Sequence, residues 1–92
     1  MKIELDQNGG NGTFYLHKED KTVGELSYFV ESGLMSITHT YVDPDLRGEG
    51  LAKKLVDAAS DWALENKYKV RPICSYVRAV MFRGDEYQKV LD

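Results

Sequence analysis

Asp43-Pro44-Asp45-Leu46-Arg47-Gly48-Glu49-Gly50-Leu51-Ala52 is the stretch on which the fold turns, because the sequence changes its period there. Before it, Leu34 to Val42 is the longest β-like run in the chain. After it, Leu51, Ala52, Leu55, Val56, Ala59, Trp62 and Ala63 recur at three- and four-residue spacing and give one apolar helix face. Glu49, Lys53, Asp57, Asp61 and Glu65 fall at four-residue steps on the wet face. The spacing predicts a helix over 48–65, with Asn66 as a left-handed cap and with Leu55 and Trp62 in the core.

Working outward, Asn8-Gly9-Gly10-Asn11-Gly12 is a turn signal, since Asn and Gly tolerate positive φ. It separates an alternating edge strand at 2–6 from a β-rich run at 13–17, which should pair back as a hairpin. A turn at 19–21 leads to a third strand over 23–30, and another at 31–33 opens the long run to Val42. Beyond the helix, Tyr68 to Cys74 reads as a strand interrupted at Pro72. Tyr76 to Phe82 reads as a short helix, and 84–92 as a helical or irregular tail. The expected class is α+β (mixed α/β): an antiparallel meander, a helix, a further strand and a short helical C-terminus.

The 92 residues carry 42% hydrophobic side chains, enough for one small domain over 1–92 and too few for two. One cysteine excludes an internal disulfide framework and an all-cysteine metal site, and it suits a reducing cytosol. Glu4 and Asp6 interrupt the N-terminus, and no apolar run is long enough to span a bilayer, so a cytoplasmic protein is expected. The net charge of −3 argues against nucleic acid as a partner. Residues 1–46 hold three basic and eight acidic groups, whereas 47–92 hold nine and seven, so the halves differ in sign.

The loop itself favours an anion. The first N–H groups of a helix have no intrahelical partner and point at whatever approaches, and small residues at 48, 50 and 52 leave room for a phosphate. Arg47, Lys53 and Lys54 crowd the positive end of the helix dipole, which is unfavourable by a few tenths of a kcal/mol each unless an anion sits among them. On the residues alone, a tight strand–helix connection with solvated charges stands beside this reading. The loop lacks the Gly-Lys-Ser/Thr of a Walker A motif and the third glycine of a dinucleotide fingerprint.

Arg47-Gly48-Glu49-Gly50-Leu51-Ala52 resembles Arg/Gln-x-x-Gly-x-Gly/Ala, the coenzyme A pyrophosphate loop of the GNAT superfamily of N-acetyltransferases. His39-Thr40-Tyr41-Val42 before it and Pro72-Ile73-Cys74-Ser75-Tyr76-Val77 after the helix are similar to the small GNAT-like group over essentially the whole chain. The resemblance implies acetyl-CoA as cosubstrate without a metal, and an amine acceptor, either a small molecule or a protein lysine or N-terminus. It implies a monomer without a membrane partner. The alternative is a coenzyme A or acyl-CoA binding or sensing module with little turnover.

The same resemblance assigns the site. Backbone groups of Gly48, Glu49, Gly50, Leu51 and Ala52 would hold the pyrophosphate, with Arg47 shaping the loop and Lys53 near outer phosphates. The pantetheine arm would lie along Tyr41 and Val42. Cys74 would face the cleft as a nucleophile in acetyl transfer, a variant of the direct amine attack that is the superfamily norm, against the plainer reading of a lone cysteine as a small buried hydrophobe. His39 would take a proton from the amine or activate Cys74, against a hydrogen-bonded core histidine. Tyr76 would protonate the leaving thiolate. Glu25 offers a base through water, and His17 is a strand residue. Ideal alternation puts His39 on one face with Met35, Ile37 and Tyr41.

Overall fold

Tight turns set the first four strands, as the Gly and Asn clusters require. The computed structural model describes residues 1–92, with β1 Lys2–Asn8, β2 Asn11–Lys18, β3 Lys21–Glu31 and β4 Leu34–Val42. Ser32 and Gly33 both adopt positive φ (53° and 79°), the conformation a two-residue hairpin turn needs to match strand twist. A 3-10 turn at Pro44–Leu46 precedes α1 (Leu51–Glu65), then come β5 (Lys69–Pro72) and α2 (Ser75–Arg83), with a last 3-10 turn at Asp85–Tyr87. The five strands form one sheet in the order β1-β2-β3-β4-β5. All neighbours are antiparallel except β4 and β5, which α1 connects in parallel. The α+β class read from the sequence is the observed one.

The apolar stripe of α1 buries Leu51, Ala52, Leu55, Val56, Ala59 and Ala63 against Phe14, Leu16, Leu26, Tyr28, Met35, Ile37 and Val70 of the sheet. Val77 and Met81 of α2 and Tyr87 and Val90 of the tail complete this core. Trp62 is half-buried at its rim, 5.1 Å from Tyr28 and 5.6 Å from Tyr68 between ring centroids. A Cβ on Gly24 would lie 3.2 Å from Leu55 Cδ1, so the glycine lets α1 settle close to β3.

The opposite face of the sheet carries two cross-strand rows. Glu4, Tyr15, Glu25 and Tyr41 form one, and Asp6, Thr13, Ser27 and His39 the other. None of the eight is buried, so this face meets solvent.

Four expectations need correction. The helix starts at Leu51 rather than 48, because Gly48 and Gly50 sit at φ +92° and +74°, outside helical space. Asn66 has φ −92°, and the left-handed residue is Lys67 at 63°. Asn66 instead turns its side-chain amide back to the Trp62 carbonyl at 2.8 Å. The fifth strand is shorter than 68–74. It ends at Pro72, after which Ile73 and Cys74 both donate to the Ile37 carbonyl (3.0 Å each). Finally, Ser27 pairs with His39 and Tyr28 with Ile37, so Thr38 is an extra residue in β4. This bulge exchanges faces for everything after it, placing His39 and Tyr41 opposite Met35 and Ile37 and bringing Thr40 and Val42 onto the core side.

Candidate active site

The loop is anchored at its base before it reaches the glycines. The Asp43 N–H donates to the Val23 carbonyl (2.7 Å), and its carboxylate accepts from the Asp45 N–H (3.0 Å) with Lys21 Nζ at 3.5 Å. The Asp45 N–H, with Lys21 beside it, holds the Asp43 carboxyl below the usual carboxylate range. Pro44 starts the 3-10 turn, and α1 follows Gly50 with no side-chain cap. The Gly50 carbonyl accepts from Lys54 N (3.2 Å), so the N–H groups of Leu51, Ala52 and Lys53 precede the helical ladder and lack intrahelical acceptors. A Cβ at Gly48 or Gly50 would meet no protein atom within 4 Å. Both positions need glycine for their φ, and the space above them is open.

That space belongs to a cavity of about 580 Å³ between the end of β4 and the start of α1. Tyr41, Val42, Arg47, Gly48, Gly50, Leu51, Ala52 and Tyr76, all proposed from the sequence, line it, together with Thr40 and Leu46, which were not. Glu49, Lys53, His39 and Cys74 are not among the lining residues. The Lys53 ammonium is turned along the helix to Asp57 (3.0 Å) and Glu86 (3.3 Å) and lies over the Tyr87 ring. The Asp57 hydrogen bond foremost, with Tyr87 and Glu86, favours its charged form.

Cys74 sits where β4 and β5 part. Their pairing stops at Ile37 and Pro72, and Cys74 becomes the N-cap of α2, its carbonyl accepting from Arg78 N (3.0 Å). Burial pushes the thiol up. The N–H groups of Val77 and Tyr76, with the hydroxyl and N–H of Thr40, outweigh this and leave it below its ordinary value. Thr40 Oγ1 is itself buried and, although beside the sulfur, meets no partner in hydrogen-bond geometry. Tyr76 is half exposed at the cavity. Across the bulge, His39 Nε2 lies 3.5 Å from Glu25 Oε1 on the open face. His17 is occupied between Glu4 (2.8 Å) and Thr22 (3.0 Å).

Comparison with known proteins gives this geometry its context. A family profile of GCN5-related N-acetyl-transferases matches residues 13–90. A GCN5-like protein from Staphylococcus aureus, solved by NMR in solution, is 33% identical, with 97% of this chain and 87% of that chain covered and a TM-score of 0.75. An aminoglycoside acetyltransferase from an uncultured soil metagenomic sample, solved with sisomicin, is 26% identical over 85% of this chain and 57% of its own, with a TM-score of 0.67. The PaiA N-acetyltransferase of Thermoplasma acidophilum, solved with coenzyme A, is 11% identical over 65% of this chain and 38% of its own (TM-score 0.62) and shares the fold. The chain thus spans 57% and 38% of the length of these two longer enzymes. No curated protein is a significant match. No helix is long and apolar enough to cross a membrane. With the profile covering most of the sequence and the Staphylococcus aureus protein matching nearly end to end, the chain belongs to the GCN5-related N-acetyltransferases.

Proposed function

We propose that this chain moves an acetyl group from acetyl-CoA to an amine, with Cys74 as the intermediate carrier. The observation that supports this is one continuous cavity. It begins at the uncapped N-terminus of α1 and ends at Thr40 and Tyr76, the two residues flanking Cys74. The N–H groups from Gly48 to Ala52 hold the pyrophosphate, and Arg47 adds charge at the loop. The exposed Glu49 contributes its backbone only. Lys53 reaches an outer phosphate only by leaving Asp57 and Glu86. Tyr41 and Val42, at the end of β4, flank the pantetheine arm.

In the first step the Cys74 thiolate bonds to the thioester carbonyl carbon. The bond from that carbon to the coenzyme A sulfur breaks, and the departing thiolate takes the Tyr76 hydroxyl proton. In the second step the amine nitrogen bonds to the acetyl carbon and passes its proton to His39. The bond to Cys74 Sγ then breaks and the thiolate returns. Solvent reprotonates Tyr76 and receives the proton from His39. The open face supports a cationic acceptor. The two rows that lead to Tyr41 and His39 hold three carboxylates, Glu4, Asp6 and Glu25, and no Lys or Arg.

Two measurements test this. Acetyl-CoA and coenzyme A should raise the melting temperature while ATP and NAD do not, because a ligand stabilises the state it binds. Equal shifts with all four would remove the coenzyme A reading. Intact mass after incubation with acetyl-CoA should show an acetyl adduct that hydroxylamine removes and Cys74→Ala abolishes. An adduct that persists in the variant would refute the carrier role. Binding without transfer to any of a panel of amines would leave a coenzyme A-binding module.

A further inference from the structure

Thr40 lies on the core side of β4, opposite Leu26, where valine would pack as well as threonine. Its hydroxyl is buried and unpartnered, and a buried hydroxyl without a hydrogen bond is destabilising. The backbone has a matching gap. The β4–β5 ladder ends at Ile37 and Pro72, so β5 supplies Thr40 with no acceptor, and Cys74 stands in the space the strand has left. From the other side come the Tyr76 and Val77 N–H groups, in the first turn of the nine-residue α2. These two N–H groups, with the hydroxyl and N–H of Thr40, favour charge on Sγ, and none of the four belongs to a charged side chain.

We infer that Thr40 is a positioning residue for the transfer. Its hydroxyl and N–H stabilise charge on Cys74 Sγ, and the hydroxyl gains its missing partner when the sulfur carries that charge. This rests on Cys74 being the acetyl carrier. Negative charge is on Sγ before it attacks acetyl-CoA and again when the acetyl group leaves for the amine, so the same donors serve both steps. The titratable and charged groups on the adjoining elements are His39 and Tyr41 on β4, Lys69 and Arg71 on β5, and Tyr76, Arg78 and Arg83 on α2; Lys69 is bound to the Lys89 carbonyl, Arg71 to Asp92 and Arg83 to the Ala79 carbonyl. His39 is turned to Glu25, and Lys53 and Asp57 of α1 are engaged with the tail.

Cys74 is the only cysteine, so the ultraviolet absorbance of the thiolate and the rate of iodoacetamide alkylation report it alone in the intact chain. Thr40→Val should raise the thiol titration midpoint by about one pH unit and slow alkylation about tenfold near neutral pH. The rates should converge above both midpoints. The variant should melt no lower than wild type, since valine fills the space and removes the orphaned hydroxyl. Thr40→Ser should keep the wild-type midpoint and Thr40→Ala should share the shift of Thr40→Val. This contrast isolates the hydroxyl from the methyl group. Equal midpoints for Ser and Ala, or an unshifted Thr40→Val, would overturn the inference. The titration needs no acetyl-CoA. A shifted midpoint with no acetyl adduct on the wild type would refute the carrier role while leaving Thr40 as the thiolate's support.

Discussion

Replacing Gly50 by alanine isolates what the loop's backbone does. Gly50 holds φ +74° and ψ 18° immediately before α1, and a Cβ there would meet no protein atom within 4 Å. No clash therefore contributes, and the cost is conformational. An L-residue in this region loses about 1–2 kcal/mol, against roughly 0.4–1 kcal/mol returned by a less flexible unfolded chain. The net loss is about 1 kcal/mol, which moves a urea midpoint by about 0.5–1 M for a domain this small. Coenzyme A should respond more strongly. If residue 50 relaxes to negative φ, the N–H groups of Leu51 and Ala52 turn away from the anion. Losing one hydrogen bond to a charged group weakens binding about tenfold or more. Gly33→Ala is the control, because Gly33 has the same kind of backbone (φ +79°) and open space but lies at the far end of β4. Urea unfolding and calorimetric titration with coenzyme A on both variants give the comparison. Similar stability losses with weakened binding only in Gly50→Ala support the reasoning. Equal coenzyme A affinities for the two variants would refute it.

Leu55→Ala should cost about 2–5 kcal/mol in chemical denaturation, since Leu55 is fully buried and its site, formed against β3, can collapse only in part. Tyr87→Phe should cost about 1 kcal/mol by removing the hydrogen bond from the buried phenol to Asp57. Burial and then Asp57 push the Tyr87 pKa up to about 12. The folded state therefore holds this proton more tightly than the unfolded chain. Its contribution is complete below the ordinary tyrosine value of about 10 and is lost as pH rises from there toward 12. Unfolding curves across that window should flatten in Tyr87→Phe, and a wild-type slope in the variant would contradict the assignment.

The local features of the fold were legible. Asn-Gly pairs and alternation carry the meander, and a 3.6-residue period carries α1, because each depends on neighbours within a few residues. The glycine loop is legible too: its small residues leave clearance for an anion, and glycine at 48 and 50 marks bent backbone, where both residues take positive φ. What escaped depends on pairing across the chain. The extra residue at Thr38 is set by register with β3, and it moves His39 to the open face beside Glu25. Thr40 meets Cys74 only because β5 runs parallel to β4 and then departs at Pro72. Of the two partners that hold Lys53, Asp57 is a four-residue neighbour visible in the sequence, whereas Glu86 lies far along the chain. A polar residue at a core-side strand position was the available signal for Thr40, but recognising it required the bulge.

In the proposed function, the backbone of the glycine loop and the first turn of α1 bind the pyrophosphate of coenzyme A. Amide NMR of the labelled protein during titration with coenzyme A tests it most directly. The largest shifts should fall on the N–H groups of Gly48, Gly50, Leu51, Ala52 and Lys53, with smaller ones at Tyr41 and Val42. Saturable binding that leaves those loop amides unmoved would contradict it.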